Sequence, residues 1–88
     1  MDATIVFHCS YRLNGETTDQ VYDATITLGE CLRNVCVNLG IDPDTHDGVT
    51  RNIRVYYKGS LLSQSDPYQE LWMIFSENEE HWLDIETI

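Results

Sequence analysis

The stretch NIRVYYKGSLL, residues 52–62, decides the fold of this chain. In its first half, apolar side chains that face one way alternate with Arg54 and Tyr56, which face the other. This period of two is typical of a half-buried strand. The Lys58-Gly59 pair then predicts a tight turn, because glycine adopts backbone angles that a side chain resists. Two leucines follow, so the pattern predicts a strand, a sharp turn and a short returning strand.

An N-terminal hairpin is predicted in the same way. Residues 4–13, TIVFHCSYRL, alternate in polarity and predict the first strand. Asn14 and Gly15 follow, and this pair favours a hairpin turn because both residues tolerate a positive φ. The returning strand is predicted at residues 21–26, VYDATI, after a turn longer than two residues or a bulge.

The main helix is predicted at residues 27–40, TLGECLRNVCVNLG. Thr27 can cap the first amides and Glu30 can reach back to it, which together make a capping box. Leucine and valine recur at helical spacing and form one apolar stripe. Gly40 then occupies the place where a left-handed residue commonly ends a helix.

Three further segments complete the predicted order of elements. Residues 42–51 are expected to form a polar loop. Residues 68–75 could form a helical turn or a strand, and the sequence leaves both open. Residues 81–88, HWLDIETI, predict a last strand with Leu83 and Ile85 facing the core.

This order predicts an α+β fold, the β-grasp or ubiquitin-like arrangement, as a single domain over residues 1–88. A mixed sheet of four to five strands would hold the first and last strands side by side and parallel, with one main helix packed across one face. In ubiquitin-like proteins a leucine of the short fourth strand plugs the core, and here that leucine would be Leu62.

Within this fold the chain resembles the YukD/EsaB family, small ubiquitin-like accessory proteins of the type VII secretion systems of Gram-positive bacteria. The resemblance rests on TIVFHCSY at residues 4–11, on YDATITLGECLRNVCVNLGI at residues 22–41, and above all on IRVYYKGSLL at residues 53–62. It implies a cytoplasmic accessory or regulatory component of such a system. The implied partner is the secretion ATPase or a membrane component of the secretion machine.

The composition restricts the classes of partner. Fifteen acidic residues against five basic ones give a formal net charge of −10. Such a surface repels nucleic acid and anionic lipid, so neither is expected to bind directly. No leader and no apolar run of about 18 residues is visible, so membrane insertion is not expected and a cytoplasmic location is predicted.

Signals of catalysis and metal binding are weak. The sequence contains no Gly-x-Ser-x-Gly, glycine-rich phosphate loop or His-Glu-x-x-His motif, so no enzymatic activity, catalytic residue or cofactor is predicted. Cys31 and Cys36 would point about 140° apart on a helix, which argues against zinc. Cys9 is predicted to be a small core residue and His81 a surface residue. The ending DIETI lacks the Gly-Gly of a conjugated modifier, so conjugation is not expected.

A binding surface is predicted on the outward face of the sheet. Tyr56 and Trp82 would form an exposed aromatic pair beside Arg54, a composition typical of binding hot spots. His8 and Lys58 would lie at its rim. The alternative is that Trp82 folds over the sheet edge, or against the irregular segment before the last strand, and contacts no partner.

Basic residues cluster in the same part of the chain. Arg51, Arg54 and Lys58 lie within eight positions of one another. This cluster could meet an acidic partner, or it could pair with the excess carboxylates of the protein itself.

The function predicted from these features is a non-catalytic protein–protein interaction module. Two alternatives belong to other classes. One is a small ubiquitin-like regulatory subunit of a multicomponent enzyme; the other is an acidic, phage-type inhibitor that imitates nucleic acid through Glu77, Glu79 and Glu80. An unpaired edge on the second strand or on the short fourth strand could also support a homodimer.

Overall fold

A computed structural model describes residues 3–62, 65–77 and 79–88. In these residues a 3₁₀ helix, Leu71–Met73, lies between the sixth and seventh strands. The strands and the α-helix are, in chain order, β1 (Thr4–Tyr11), β2 (Thr17–Asp23), α1 (Leu28–Asn38), β3 (Thr45–His46), β4 (Val49–Thr50), β5 (Ile53–Tyr57), β6 (Ser60–Leu61) and β7 (Glu80–Thr87).

The main sheet has the strand order β2-β1-β7-β5-β6. The first and last strands, β1 and β7, pair in parallel, whereas the other neighbours are antiparallel. The inner face of this sheet and α1 share one hydrophobic core. Within the described residues the predicted α+β, β-grasp arrangement with a mixed sheet of five strands and one main helix is therefore confirmed.

The turn in the deciding stretch has the predicted geometry. Lys58 and Gly59 both have positive φ, 51° and 81°, as a two-residue hairpin turn of the I′ type requires. The strand that returns from it is short, and Tyr57 lies opposite Ser60. Leu62 then enters the core and is buried, as predicted.

The helix begins and ends at the predicted signals. The Thr27 hydroxyl accepts a hydrogen bond from the Glu30 amide at 3.3 Å, which satisfies one of the free amides of the first turn. At the other end Gly40 has φ of 79°. The Gly40 amide donates to the Val37 carbonyl and the Ile41 amide to the Cys36 carbonyl, the bond pair of a Schellman motif.

The returning strand of the first hairpin was predicted too late in the chain. It spans Thr17–Asp23 rather than residues 21–26. Gly15, with φ of 71°, completes the turn at once, and the Tyr11 amide already donates to the Glu16 carbonyl at 2.8 Å. The polar residues after the turn are therefore part of the strand, which an edge strand tolerates because one of its sides faces water.

Residues 42–51 were predicted to be a polar loop, but they contain a small antiparallel ribbon. Here β3 pairs with β4, and His46 lies opposite Val49. Asp47 and Gly48 connect them with φ of 51° and 79°. Asp-Gly is a strong hairpin signal, because both positions of a I′ turn need positive φ.

The segment left open between helix and strand is helical at its centre. Its 3₁₀ turn, Leu71–Met73, carries the fully buried Leu71. The amides of Leu71 and Trp72 donate to the carbonyls of Ile26 and Ala24, both at 3.0 Å. These bonds tie the segment to the connection between β2 and α1, so its backbone is satisfied without a strand partner.

His81 was predicted at the surface, and this was wrong. Its side chain is only 2% exposed, because it occupies an inward position of β7 on the same face as Leu83 and Ile85. Nε2 lies 2.7 Å from the Ser76 carbonyl, which can only accept, so Nε2 carries the hydrogen. Nδ1 lies 2.7 Å from the Tyr57 hydroxyl, and in the neutral ring it accepts a hydrogen bond from that hydroxyl. Both ring nitrogens are thereby satisfied inside the core.

In the part of the chain that the structure describes, no helix combines the length and the apolar character needed to cross a membrane.

Candidate functional site

The outward face of the sheet carries an open groove of about 720 Å³, which we call the outer groove. It runs over β1, β7 and β5, whose pairing places His8 opposite Trp82 and Tyr56 opposite Asp84. The residues that line it are His8, Ser10, Arg12, Tyr56, Lys58, Gly59, Trp82, Leu83 and Asp84. Four of the five residues predicted for the site therefore lie along one groove.

Trp82 packs against its cross-strand neighbour, His8. Its ring centroid is 5.0 Å from that of His8, with 30° between the ring planes. The side chain stays on the outer face and does not fold over the sheet edge, yet 63% of it is exposed. An indole this exposed leaves a large apolar surface in contact with water in the free protein.

Arg12, which the sequence interpretation missed, is a central residue of the groove. Its guanidinium carbon lies 4.9 Å from the centre of the Tyr56 ring, within cation–π range. Nη2 lies 2.6 Å from Asp84 Oδ2 and Nη1 lies 3.0 Å from Glu86 Oε2. The hydrogen bond to Asp84, followed by the contacts with Glu86, raises the pKa of Arg12, so the guanidinium stays charged.

Arg54, predicted at the centre of the site, lies at its margin. It pairs across the strands with Glu86, and Nη1 is 3.3 Å from Glu86 Oε1. Arg51 Nη2 lies 3.8 Å from Asp44 Oδ2. Both residues therefore pair with carboxylates of the protein itself, and exposed pairs of this kind stabilise little. Lys58 does line the groove, with its ammonium 5.4 Å from the Tyr57 ring.

His8, on β1, makes ionic contacts with carboxylates on both neighbouring strands, β2 and β7. Its Nδ1 lies 2.6 Å from Asp19 Oδ1 on β2, and its Nε2 lies 3.4 Å from Glu80 Oε1 on β7. The hydrogen bond to Asp19 raises the pKa of His8 above its usual 6.5, with a further contribution from Glu80, while partial burial acts the other way. Because the folded-state pKa is raised, this contact stabilises the fold below the unfolded pKa. The stabilisation is lost as the pH rises through the folded pKa.

Replacing Asp19 by asparagine is therefore expected to lower the pKa of His8. The substitution removes the charge that favours the imidazolium, and NMR titration of the His8 ring protons measures the effect. Asp23→Asn is the matched control, because it also removes one carboxylate from β2 but lies opposite Thr4 rather than His8. An equal shift in both variants would mean that net charge, and not the Asp19 contact, sets the pKa.

The three cysteines are all buried in the core as free thiols. Burial raises the pKa of Cys9 to about 12 and that of Cys36 to about 11, and it also raises the pKa of Cys31. Thiols in this state are poor nucleophiles at neutral pH. Over residues 3–62, 65–77 and 79–88, no three His, Cys, Asp or Glu side chains converge in a way that could hold a metal ion.

Comparison with known proteins defines the fold. No protein-family model and no curated protein matches the chain. The solved ubiquitin-like domain of yeast Ddi1 is 14% identical with a TM-score of 0.69, and the match covers 99% of this chain and 92% of that one. An Arabidopsis thaliana protein with a ubiquitin-like domain is 15% identical with a TM-score of 0.66, over 98% of this chain and 88% of the other.

A third solved structure concerns molecular mimicry of SUMO that promotes DNA repair. It is 16% identical with a TM-score of 0.65, and the match covers 100% of this chain and 94% of that one. Likenesses at such low identity are likenesses of fold. The chain therefore has the ubiquitin-like β-grasp fold, a scaffold that supports many functions.

Proposed function

We propose that the chain is a non-catalytic protein-interaction module that docks a protein partner in the outer groove. The observation that carries the proposal is the exposure of Trp82, 63%, in a groove that also holds Tyr56 and Arg12. Tryptophan, tyrosine and arginine are the residues that most often dominate binding energy at protein interfaces.

The form of the groove favours a protein over a small molecule. It is broad and open, whereas small-molecule sites are concave and enclose most of their ligand. A partner side chain laid over Trp82 and Tyr56 would bury both rings. The partner backbone would remain outside, where it could contact Lys58 at the rim.

The groove is also held in place before any partner arrives. Arg12 is held over Tyr56 by its ion pairs with Asp84 and Glu86, and Trp82 rests on His8. Side chains ordered in advance lose less conformational entropy on binding, so more of the contact energy appears as affinity.

We further propose, from the resemblance of residues 53–62 to the YukD/EsaB family, that the partner belongs to a type VII secretion system. The chain would act in the cytoplasm as an accessory component, and its partner would be the secretion ATPase or a membrane component. This step rests on the resemblance alone, whereas the docking groove rests on geometry.

The double variant Tyr56→Ala/Trp82→Ala is expected to weaken partner binding at least about tenfold, because two interface aromatics are removed together. Isothermal calorimetry with the purified cytosolic domains of the secretion ATPase and of the membrane components measures the loss. Tyr68→Ala/Trp72→Ala is the matched control, because Tyr68 and Trp72 are exposed aromatics outside the groove. Circular dichroism confirms that each variant is folded.

The possible results separate the docking groove from the secretion partner. Binding that only the groove variant loses supports both the groove and the secretion partner. Equal binding by wild type and groove variant contradicts the groove. If no secretion component binds wild type and the subunits of a multicomponent enzyme do, the secretion assignment is wrong and the groove is tested again with those subunits.

A further inference from the structure

The outer edge of β2 has no strand beside it among the residues that the structure describes. This strand is the first in the sheet order, and its only strand partner there is β1. It spans seven residues, Thr17–Asp23, whereas the strand at the opposite edge, β6, has two. A long edge strand presents a row of free amides and carbonyls to which another chain can pair.

The hydrogen-bonding pattern between β1 and β2 shows which backbone groups of β2 face away from the sheet. The Tyr11 amide donates to the Glu16 carbonyl, and the Ala24 amide donates to the Ala3 carbonyl. Antiparallel pairs alternate between bonded and non-bonded, so the even-numbered residues between these two bonds, Thr18, Gln20 and Tyr22, point their amides and carbonyls at β1. The odd-numbered residues, Asp19 and Val21 among them, therefore direct theirs away from the sheet.

The same odd-numbered residues carry their side chains on the outer face. Asp19 is opposite His8, Val21 is opposite Val6 and Asp23 is opposite Thr4. Val21 is 60% exposed, an apolar residue between two exposed carboxylates. The free edge thus offers the outward amides and carbonyls of Asp19 and Val21, next to an acid–apolar–acid pattern of side chains.

We propose that this edge binds an extended segment of a partner protein that carries basic, apolar and basic residues at alternate positions. Such a segment would add a strand antiparallel to β2 and exchange backbone hydrogen bonds with Asp19 and Val21. Its two cations would lie opposite Asp19 and Asp23, and its apolar residue would cover Val21. Opposite charges that face each other across strands stabilise pairing, and like charges oppose it.

The same charges argue against a second copy of the chain as the occupant. Self-pairing would bring Asp19 and Asp23 of both copies into one short ladder. The formal net charge of −10 on each copy adds a general repulsion. A basic segment of another protein is subject to neither repulsion. Charge complementarity therefore favours such a segment over a second copy of the chain.

The test uses the acetylated and amidated peptide Thr-Lys-Thr-Val-Thr-Lys-Thr, titrated into the ¹⁵N-labelled protein. The largest amide shift changes are expected at residues 17–23, and the amides of Asp19 and Val21 should gain protection from hydrogen exchange. The same peptide with glutamate in place of both lysines should bind at least about threefold more weakly, as loss of the cross-strand charge pairs requires.

Methylation of single peptide amides tests the backbone contacts without any change to the protein. N-methylation of the central valine removes an amide that would face β2 and should abolish the shift changes. N-methylation of the next threonine, whose amide would face away, is the matched control and should leave binding largely intact.

The double variant Asp19→Asn/Asp23→Asn should weaken binding and reduce its salt dependence.

Three results would overturn the proposal: shift changes centred on Trp82 instead of β2, equal binding of the lysine and glutamate peptides, or equal effects of the two N-methylations. Tyr56→Ala should bind the peptide like wild type, because Tyr56 lies on β5, which β1 and β7 separate from β2. Failure of the docking groove would therefore leave this proposal standing, and failure of this proposal would leave the groove.

Discussion

Replacement of Phe7 by alanine is expected to lower the free energy of unfolding by about 3–5 kcal/mol, as large-to-small substitutions of buried aromatic residues do. Phe7 is completely buried at the centre of the core. Its ring packs edge to face on Phe75, with 4.9 Å between centroids, and lies 5.9 Å from His81 and 6.1 Å from Tyr22.

The expected loss is a large fraction of the whole free energy of unfolding. A chain of 88 residues is expected to have a free energy of unfolding of about 4–13 kcal/mol. Urea denaturation followed by circular dichroism measures the loss, and the midpoint should fall with little change in slope. Val21→Ala, on the exposed side of the same sheet, is the control and should change stability by less than about 1 kcal/mol. Similar losses in the two variants would mean that Phe7 does not anchor the core.

Gly29→Ala is expected to destabilise the protein by about 2 kcal/mol, even though alanine is the better helix former by about 1 kcal/mol. A β-carbon on Gly29 would overlap the carbonyl oxygen of Gly48 and would lie 3.1 Å from Pro67 Cβ and 3.2 Å from Pro67 O. The Gly29 amide donates to that same Pro67 carbonyl at 2.9 Å. The added methyl group therefore pushes apart elements that a hydrogen bond holds together.

The space around Gly29 offers little relief. The cavity between the first turn of α1, the β3–β4 ribbon and Pro67 measures about 10 Å³, room for no more than one water. Asn34→Ala, on the same helix, is the matched control and should leave stability unchanged or slightly raised. Thermal unfolding of both variants measures the difference. A stabilised Gly29→Ala protein would show that the ribbon and Pro67 can move away at no cost.

The sequence identified the elements whose signals are local. The Lys58-Gly59 turn, the Thr27 cap and the Gly40 end of the helix each depend on a few neighbouring residues, and all three were predicted correctly. The Asp47-Gly48 turn carried an equally local signal that the sequence interpretation passed over. His81 could also have been assigned to the core, because alternation places it on one face with Leu83 and Ile85.

The contacts within the outer groove could not be predicted from local sequence patterns. Arg12 follows His8 and Ser10 at a spacing of two, so its outward direction was visible in the sequence. Its partners Asp84 and Glu86 were not, because they come from the other end of the chain through the parallel pairing of β1 with β7. The same pairing stacks Trp82 on His8.

The sequence by itself determined the β-grasp order of elements, the capped helix and the faces of the strands, because turn chemistry and hydrophobic period act over a few residues. Only the tertiary structure decided that Arg12 replaces Arg54 in the groove and that, among the described residues, no strand lies beside the outer edge of β2. These features depend on which strands become neighbours and in which register. Register is selected by burial of the whole inner face, which side chains distant in sequence complete together.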